Sequence, residues 1–173
     1  QDRAVVHIES PHDEIIIKLN SDLNKTYLWF GKTEERKAYA ENQVAQDNNA
    51  EGIAPSTLAG RASAKVSKGY WNAGRDLVDE LEEDESVLSK VKQEELPEEM
   101  QGMSEAEKAD YLKKMAAKRK DIQAEIKKLT GDREKFVNKE RKRIAEEEGQ
   151  QTLGEAITTA VKQQLKQNGF DVE

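Results

Sequence analysis

From Ser104 to Glu148 the chain runs without proline and with one glycine, Gly131. At a rise of about 1.5 Å per residue, one helix over that run would be about 65–70 Å long. That exceeds the width of a small globular domain, so such a helix must pack along a long partner surface or project beyond the rest of the fold. Ser104 and Glu107 at its start have the S-x-x-E spacing of a capping box. Leu112, Met115, Ile122, Ile126, Leu129, Phe136 and then Val137 or Ile144 recur at intervals of three and four, as in a coiled-coil seam, and Arg119 and Arg133 interrupt that seam. Gly131 leaves two readings open, a hairpin turn at Thr130-Gly131-Asp132 or an unbroken helix. The apolar phase survives across the glycine, and a mid-helix glycine costs only about 1 kcal/mol relative to alanine, so we expect continuity.

The supply of apolar residues to cover such a stripe is thin. Of 173 residues, 35% are hydrophobic and 36% charged, and nine are aromatic. The charges are mixed in sign, which fits helices with solvated faces rather than a disordered chain. Residues 104–149 carry fourteen Lys/Arg against eleven Asp/Glu, whereas the remainder carries fourteen against twenty-four, within a net charge of −7. A mildly basic helix inside an acidic chain can attract its own surroundings. The overall acidity argues against general nucleic-acid binding, which depends on neutralising phosphates. The absence of cysteine excludes disulfides and thiolate metal sites. No stretch approaches the ~20 apolar residues of a membrane span, and no signal-peptide pattern is present.

Ala4 to Ile8 is β-branched and reads as a short strand without a partner strand. Together with a first residue that is Gln1 rather than Met, this leads us to expect that residues 1–10 are a strand and linker from a preceding domain, and that the chain is a piece of something longer. Ser10 and Pro11 should open a first helix to about Tyr27, with Ile15, Ile16, Leu19 and Leu23 on one face. Thr33 should cap a polar second helix to about Asn49. Ser56 should cap a third extending to about Glu83, in which Gly60, Gly69 and Gly74 are either tolerated at the surface or allow close backbone approach. Glu82 to Pro97 should hold one or two short turns. Thr152 and Glu155 form a second capping box, which predicts a separate C-terminal helix over 152–168 carrying Leu153, Ile157, Val161 and Leu165, ended by Gly169 and Phe170. The expected fold is mainly α: one elongated domain over 11–173, an antiparallel helical hairpin or bundle around a spine at 104–148, with the helices at 56–83 and 152–168 covering its stripe.

Chemistry is sparse. His7 and His12 lack any metal-ligand spacing. Carboxylates are abundant, yet none is expected in an apolar setting that would raise its pKa for acid–base work. There is no P-loop and no G-x-G-x-x-G. We expect no catalytic residue, no metal and no cofactor. Asn24-Lys25-Thr26 matches an N-glycosylation sequon. The basic runs Lys118-Arg119-Lys120 and Lys139 to Arg143 are interleaved with acids, as on salt-bridged helix faces. Trp29, Phe30, Tyr70 and Trp71 concentrate four of the nine aromatics; they either knit the small core or form a contact site for a partner.

Four stretches, Leu19-Asn20-Ser21-Asp22-Leu23-Asn24-Lys25-Thr26-Tyr27, Ala45-Gln46-Asp47-Asn48-Asn49-Ala50, Arg75-Asp76-Leu77-Val78-Asp79 and Leu96-Pro97-Glu98-Glu99-Met100-Gln101-Gly102-Met103-Ser104, belong together. They resemble the helical region that follows the von Willebrand factor A domain in a group of bacterial proteins. The resemblance implies a secreted or envelope location and a role in association. It carries no chemistry: the D-x-S-x-S metal motif of the A domain is absent, and Asp84-Glu85-Ser86-Val87-Leu88-Ser89 has the wrong spacing. The expected function is a non-catalytic helical interaction or spacer module joined to such a domain, with a protein partner or adjoining domain. The alternative is a nucleic-acid- or anionic-surface-binding helical protein using the basic runs.

Overall fold

The structure is a computed structural model that describes residues 7–67 and 69–167, with side chains to Gln164. It is mainly helical. Six α-helices follow in order: α1 Asp13–Asn24, α2 Thr33–Ile53, α3 Pro55–Lys65, α4 Leu77–Glu83, α5 Val87–Lys90 and α6 Glu105–Gln167, with short 3₁₀ turns at Gln93–Glu95 and Glu98–Met100. Ala4, Val5 and Val6 of the expected strand lie outside the described residues, and His7 and Ile8 adopt no regular structure. Among the described residues the only β pairing is an isolated antiparallel bridge, Trp29 to Asp76.

The chain divides into two units, 1–133 and 134–173, and α6 contributes to each. In the first unit, residues 105–133 of α6 serve two hydrophobic cores. One gathers Ile16 and Leu23 of α1, Ala59 and Ala62 of α3, Tyr27, and Ile122 and Ile126 of α6. The other gathers Leu28, Leu77 and Val78, Val87, Leu96, Met100, and Leu112 of α6. Each fully buried Leu or Ile contributes about 1.5–3 kcal/mol. The three-and-four spacing of α6 is thus satisfied from within the chain, by short elements rather than by one long partner helix.

Local chemistry explains most boundaries. Ser104 and Glu107 close the capping box as expected: Ser104 N donates to Glu107 Oε2 at 2.8 Å and Glu107 N to Ser104 Oγ at 3.3 Å. Lys32 N donates to Glu35 Oε2, so α2 begins at Thr33 itself rather than being capped by its hydroxyl. The helix expected over 56–83 is two helices. Gly74 at φ +80° and the loop of residues 66–76 separate α3 from α4, and Asp76 caps α4 through Asp79 N. Gly60 has no neighbour where a Cβ would sit, so close backbone packing is not its reason.

The second departure lies at the other end. No separate helix opens at Thr152. The α6 backbone passes through Gly131, Gly149 and Gly154 without a break, and Thr152 Oγ1 donates back to Glu148 O at 2.8 Å instead of capping. A glycine alone costs too little to end a helix whose flanks favour it. Residues 152–164 are exposed. Gly169 and Phe170 lie outside the described residues.

Candidate functional site

Arg119 sits on the α6 seam between the two cores and is 3% exposed. All five of its N–H groups are engaged. Nε donates to Thr26 Oγ1 at 3.0 Å, and Nη2 to Thr26 O at 2.6 Å and Asp76 Oδ1 at 3.1 Å. Nη1 donates to Asp76 Oδ2 at 2.6 Å and Asp79 Oδ1 at 2.8 Å. The guanidinium also lies 4.1 Å from the centroid of the Tyr27 ring. Asp76, fully buried, further accepts Leu28 N at 2.6 Å and Asp79 N at 3.0 Å. The seam arginine therefore locks α6 to the end of α1 and the start of α4. Burial pushes the Asp79 carboxyl up, with the neighbouring Asp76 charge adding to the rise. This corrects the expectation that no carboxylate occupies such a setting. Burial likewise pushes the Tyr27 hydroxyl well above its usual range.

A second buried ion pair joins α1, α2 and α3. Lys65 Nζ donates to Asp47 Oδ2 at 2.7 Å, Asn20 Oδ1 at 3.0 Å and Asn24 Oδ1 at 2.9 Å. Asp47 also accepts from Asn20, Asn24 and Arg61. Burial raises the Asp47 carboxyl, but its four donors outweigh that and hold it at about 2. Lys65 moves against the pair, lowered because burial outweighs the one carboxylate beside it. The two directions agree physically: the carboxylate collects four donors in a half-polar niche, whereas the ammonium gives up nearly all its water. The Asn24 sequon is spent here, since its amide is part of this network. The other seam arginine is also internal, with Arg133 Nε donating to Asp13 Oδ1 at 2.7 Å.

The aromatic residues fall into three places. Tyr27 stacks on Trp29 at 5.1 Å, Tyr70 meets Tyr27 edge-on at 6.4 Å, and Trp29 lies 5.8 Å from Tyr39, over which Arg75 is placed at 5.3 Å. Trp29 and Tyr70 are half-buried in this ladder, and Phe30 is half-buried against the second core. Trp71 stands apart, 45% exposed, with Nε1 donating to Glu83 Oε1 at 2.9 Å. Of the four residues singled out from the sequence, three pack into the interior, and Trp71 alone is exposed. Tyr70 and Trp71 share a cleft of about 460 Å³ whose lining includes Tyr27, Asp79, Glu82 and Arg119.

In the second unit, every side chain from Ala145 to Gln164 is exposed. Leu153, Ile157 and Val161 recur every fourth residue at 61, 55 and 49% exposure and form one apolar stripe. The basic run before it is internally paired at Arg143, which donates to Glu140 at 3.0 Å and Glu147 at 2.6 Å. His7 and His12 join no metal-binding group among the described residues. No helix among those residues is long and apolar enough to cross a membrane.

Sequence reasoning missed Asp47, Lys65, Asp76 and Asp79. The available signal was the phase of Arg119: a charge in register with an apolar stripe needs a buried counter-charge. The spacing Asp76-x-x-Asp79 before an apolar turn is also that of an N-cap. Comparison with known proteins adds no relative: no family model, curated protein or solved structure matches this chain.

Proposed function

We propose that the chain is a non-catalytic helical interaction module that makes protein–protein contact through the Leu153–Ile157–Val161 stripe. The carrying observation is that stripe: three large apolar side chains in one line, each about half exposed or more. A helix turns such a line toward the apolar face of another helix, in the i, i+4, i+8 register. The occupant we assign is therefore an amphipathic helix of a protein partner. The polar surroundings on this part of α6 suit a helix face rather than lipid, because only Glu155 and Lys162 between Gly149 and Gln164 are charged and no basic belt flanks the stripe.

We further propose that the module adjoins a von Willebrand factor A-type domain in a bacterial exported protein. The support is the resemblance of four stretches. Three of these stretches supply Asn20, Asn24, Thr26, Asp47, Asp76 and Asp79, the partners that Lys65 and Arg119 bind in the buried networks. What the stretches have in common is thus a way of building this fold. The alternative of binding through basic runs has less behind it, since Arg119 is saturated internally and Arg143 is paired with two glutamates.

Site-specific photocrosslinking in the whole chain tests the reading. A photoreactive residue at Ile157 should yield one discrete adduct, and one at Thr159, on the opposite face, should not. Equal products from both faces, or none from Ile157, would overturn it.

A further inference from the structure

The cleft beside Arg119 has a composition that the interaction stripe does not use. Its lining carries Asp79, 7% exposed, with Tyr70, Trp71 and the exposed Glu82, and also Tyr27, whose ring is already stacked on Trp29 and capped by Arg119. At about 460 Å³ it falls within the size range of small-ligand sites.

Among the described lining residues Asp79 and Glu82 stand against Arg119 and Lys120, and the buried Asp76 behind Arg119 adds a third carboxylate. Arg119 has no N–H left to offer a ligand, and it must serve two carboxylates, Asp76 and Asp79. Asp76 takes two of its N–H groups and two backbone N–H groups besides, which fills both oxygens. Asp79 has one donor on each oxygen: Arg119 on Oδ1 and Asn72 N, at 2.9 Å, on Oδ2. Each oxygen can accept one more. The ion cluster thus carries one negative charge in excess, on the member that lines the cleft. The Trp71 ring is held by a further carboxylate, Glu83. Among the described residues the cation on the lining besides Arg119 is Lys120, which is exposed. Aromatic rings beside a carboxylate that shares its one arginine with a second carboxylate are an arrangement that can recognise ammonium and guanidinium groups, by cation–π attraction plus an ion pair.

We infer that this cleft binds an organic cation, an ammonium or guanidinium head carried by a small molecule or by a partner's side chain, with Asp79 as counter-ion and Tyr70 and Trp71 as aromatic walls. The upward shift of the Asp79 carboxyl agrees with this, because a bound cation relieves the burial and the Asp76 repulsion that cause it.

Titration of the whole chain with tetramethylammonium, followed by tryptophan fluorescence and calorimetry, tests the site. Saturable binding is expected, with tert-butanol, its uncharged counterpart in shape, showing none. Trp71→Ala and Glu82→Gln alter exposed side chains and leave the fold intact; Trp71→Ala should weaken binding about tenfold and Glu82→Gln several-fold. Asp79→Asn should abolish it, with its circular dichroism compared against the parent. A second arm compares tetramethylammonium with short lysine- or arginine-bearing peptides. Tighter binding of a peptide assigns the head to a partner's side chain, and tighter binding of the free cation assigns it to a small molecule. No saturation, equal response to tert-butanol, or indifference to Trp71→Ala would overturn the inference. Because Leu153, Ile157 and Val161 take no part, failure here leaves the crosslinking result untouched, and the reverse holds too.

Discussion

The two parts of α6 treat the same apolar period in opposite ways. Between Leu112 and Ile126 the stripe is buried against short elements, and the arginine in its phase finds two aspartates. Between Leu153 and Val161 the stripe is exposed, and nothing in its phase is charged. Periodicity alone marks both as faces that seek cover. What separates them is whether the chain also holds the loops, caps and counter-charges that supply it. A charge set into an apolar seam is thus a better sign of an internal partner than an uninterrupted seam is.

The largest effect expected on this contrast comes from Arg119. Replacing it with methionine strands Asp76 and Asp79 in the interior and should cost about 3–5 kcal/mol in denaturant unfolding. Adding Asp79→Asn should return part of that loss by removing one stranded charge. If Arg119→Met were neutral, the seam arginine would not be what distinguishes the first unit.

Acid should act next. Asp47 has its folded pKa lowered from 3.8 to about 2, so its stabilisation is present above about pH 4 and is lost as pH falls through 2. This amounts to about 2 kcal/mol. Asp79, shifted upward, works in the opposite sense: burial penalises its charge at neutral pH, and protonation relieves that penalty. Unfolding midpoints at pH 5 and pH 2.5 should therefore fall further for the parent than for Asp47→Asn, and less for the parent than for Asp79→Asn.

Gly131→Ala should raise stability by about 1 kcal/mol, since the helix is continuous there and a Cβ would meet nothing. A loss instead would point to the hairpin turn at Thr130-Gly131-Asp132. The smallest effect belongs to the exposed stripe. Ile157→Thr should change the unfolding free energy by less than about 0.5 kcal/mol, as substitutions at exposed sites do. With the photoreactive residue placed at Leu153 instead, the same change should weaken the adduct.

Much of this was legible in the residues. The long helix, its capping box at Ser104, its continuity at Gly131 and the apolar phase from Leu112 to Ile126 all follow from local pattern. The split of the third helix was not, because Val66, Tyr70 and Leu77 keep a helical period through a segment that Gly74 and the Asp76 cap turn into a loop. The missing boundary at Thr152 has the same origin. A threonine can cap a helix or return its hydroxyl to the carbonyl four residues back, and sequence spacing looks alike in both cases. The candidate site was hidden for a different reason. Asp47 with Lys65, and Asp76 with Arg119, are 18 and 43 residues apart, and no local rule pairs charges across such distances. Trp71 was legible as an aromatic; its outward face, unlike those of Trp29 and Tyr70, depends on the fold.

Hydrogen exchange along α6 tests the contrast most directly. In the isolated chain at low concentration, amides from Leu112 to Ile126 should exchange only through unfolding of the first unit, while those from Gln150 to Gln164 should exchange orders of magnitude faster. Uniform protection from Leu112 to Gln164 would contradict the contrast between a buried and an exposed stripe.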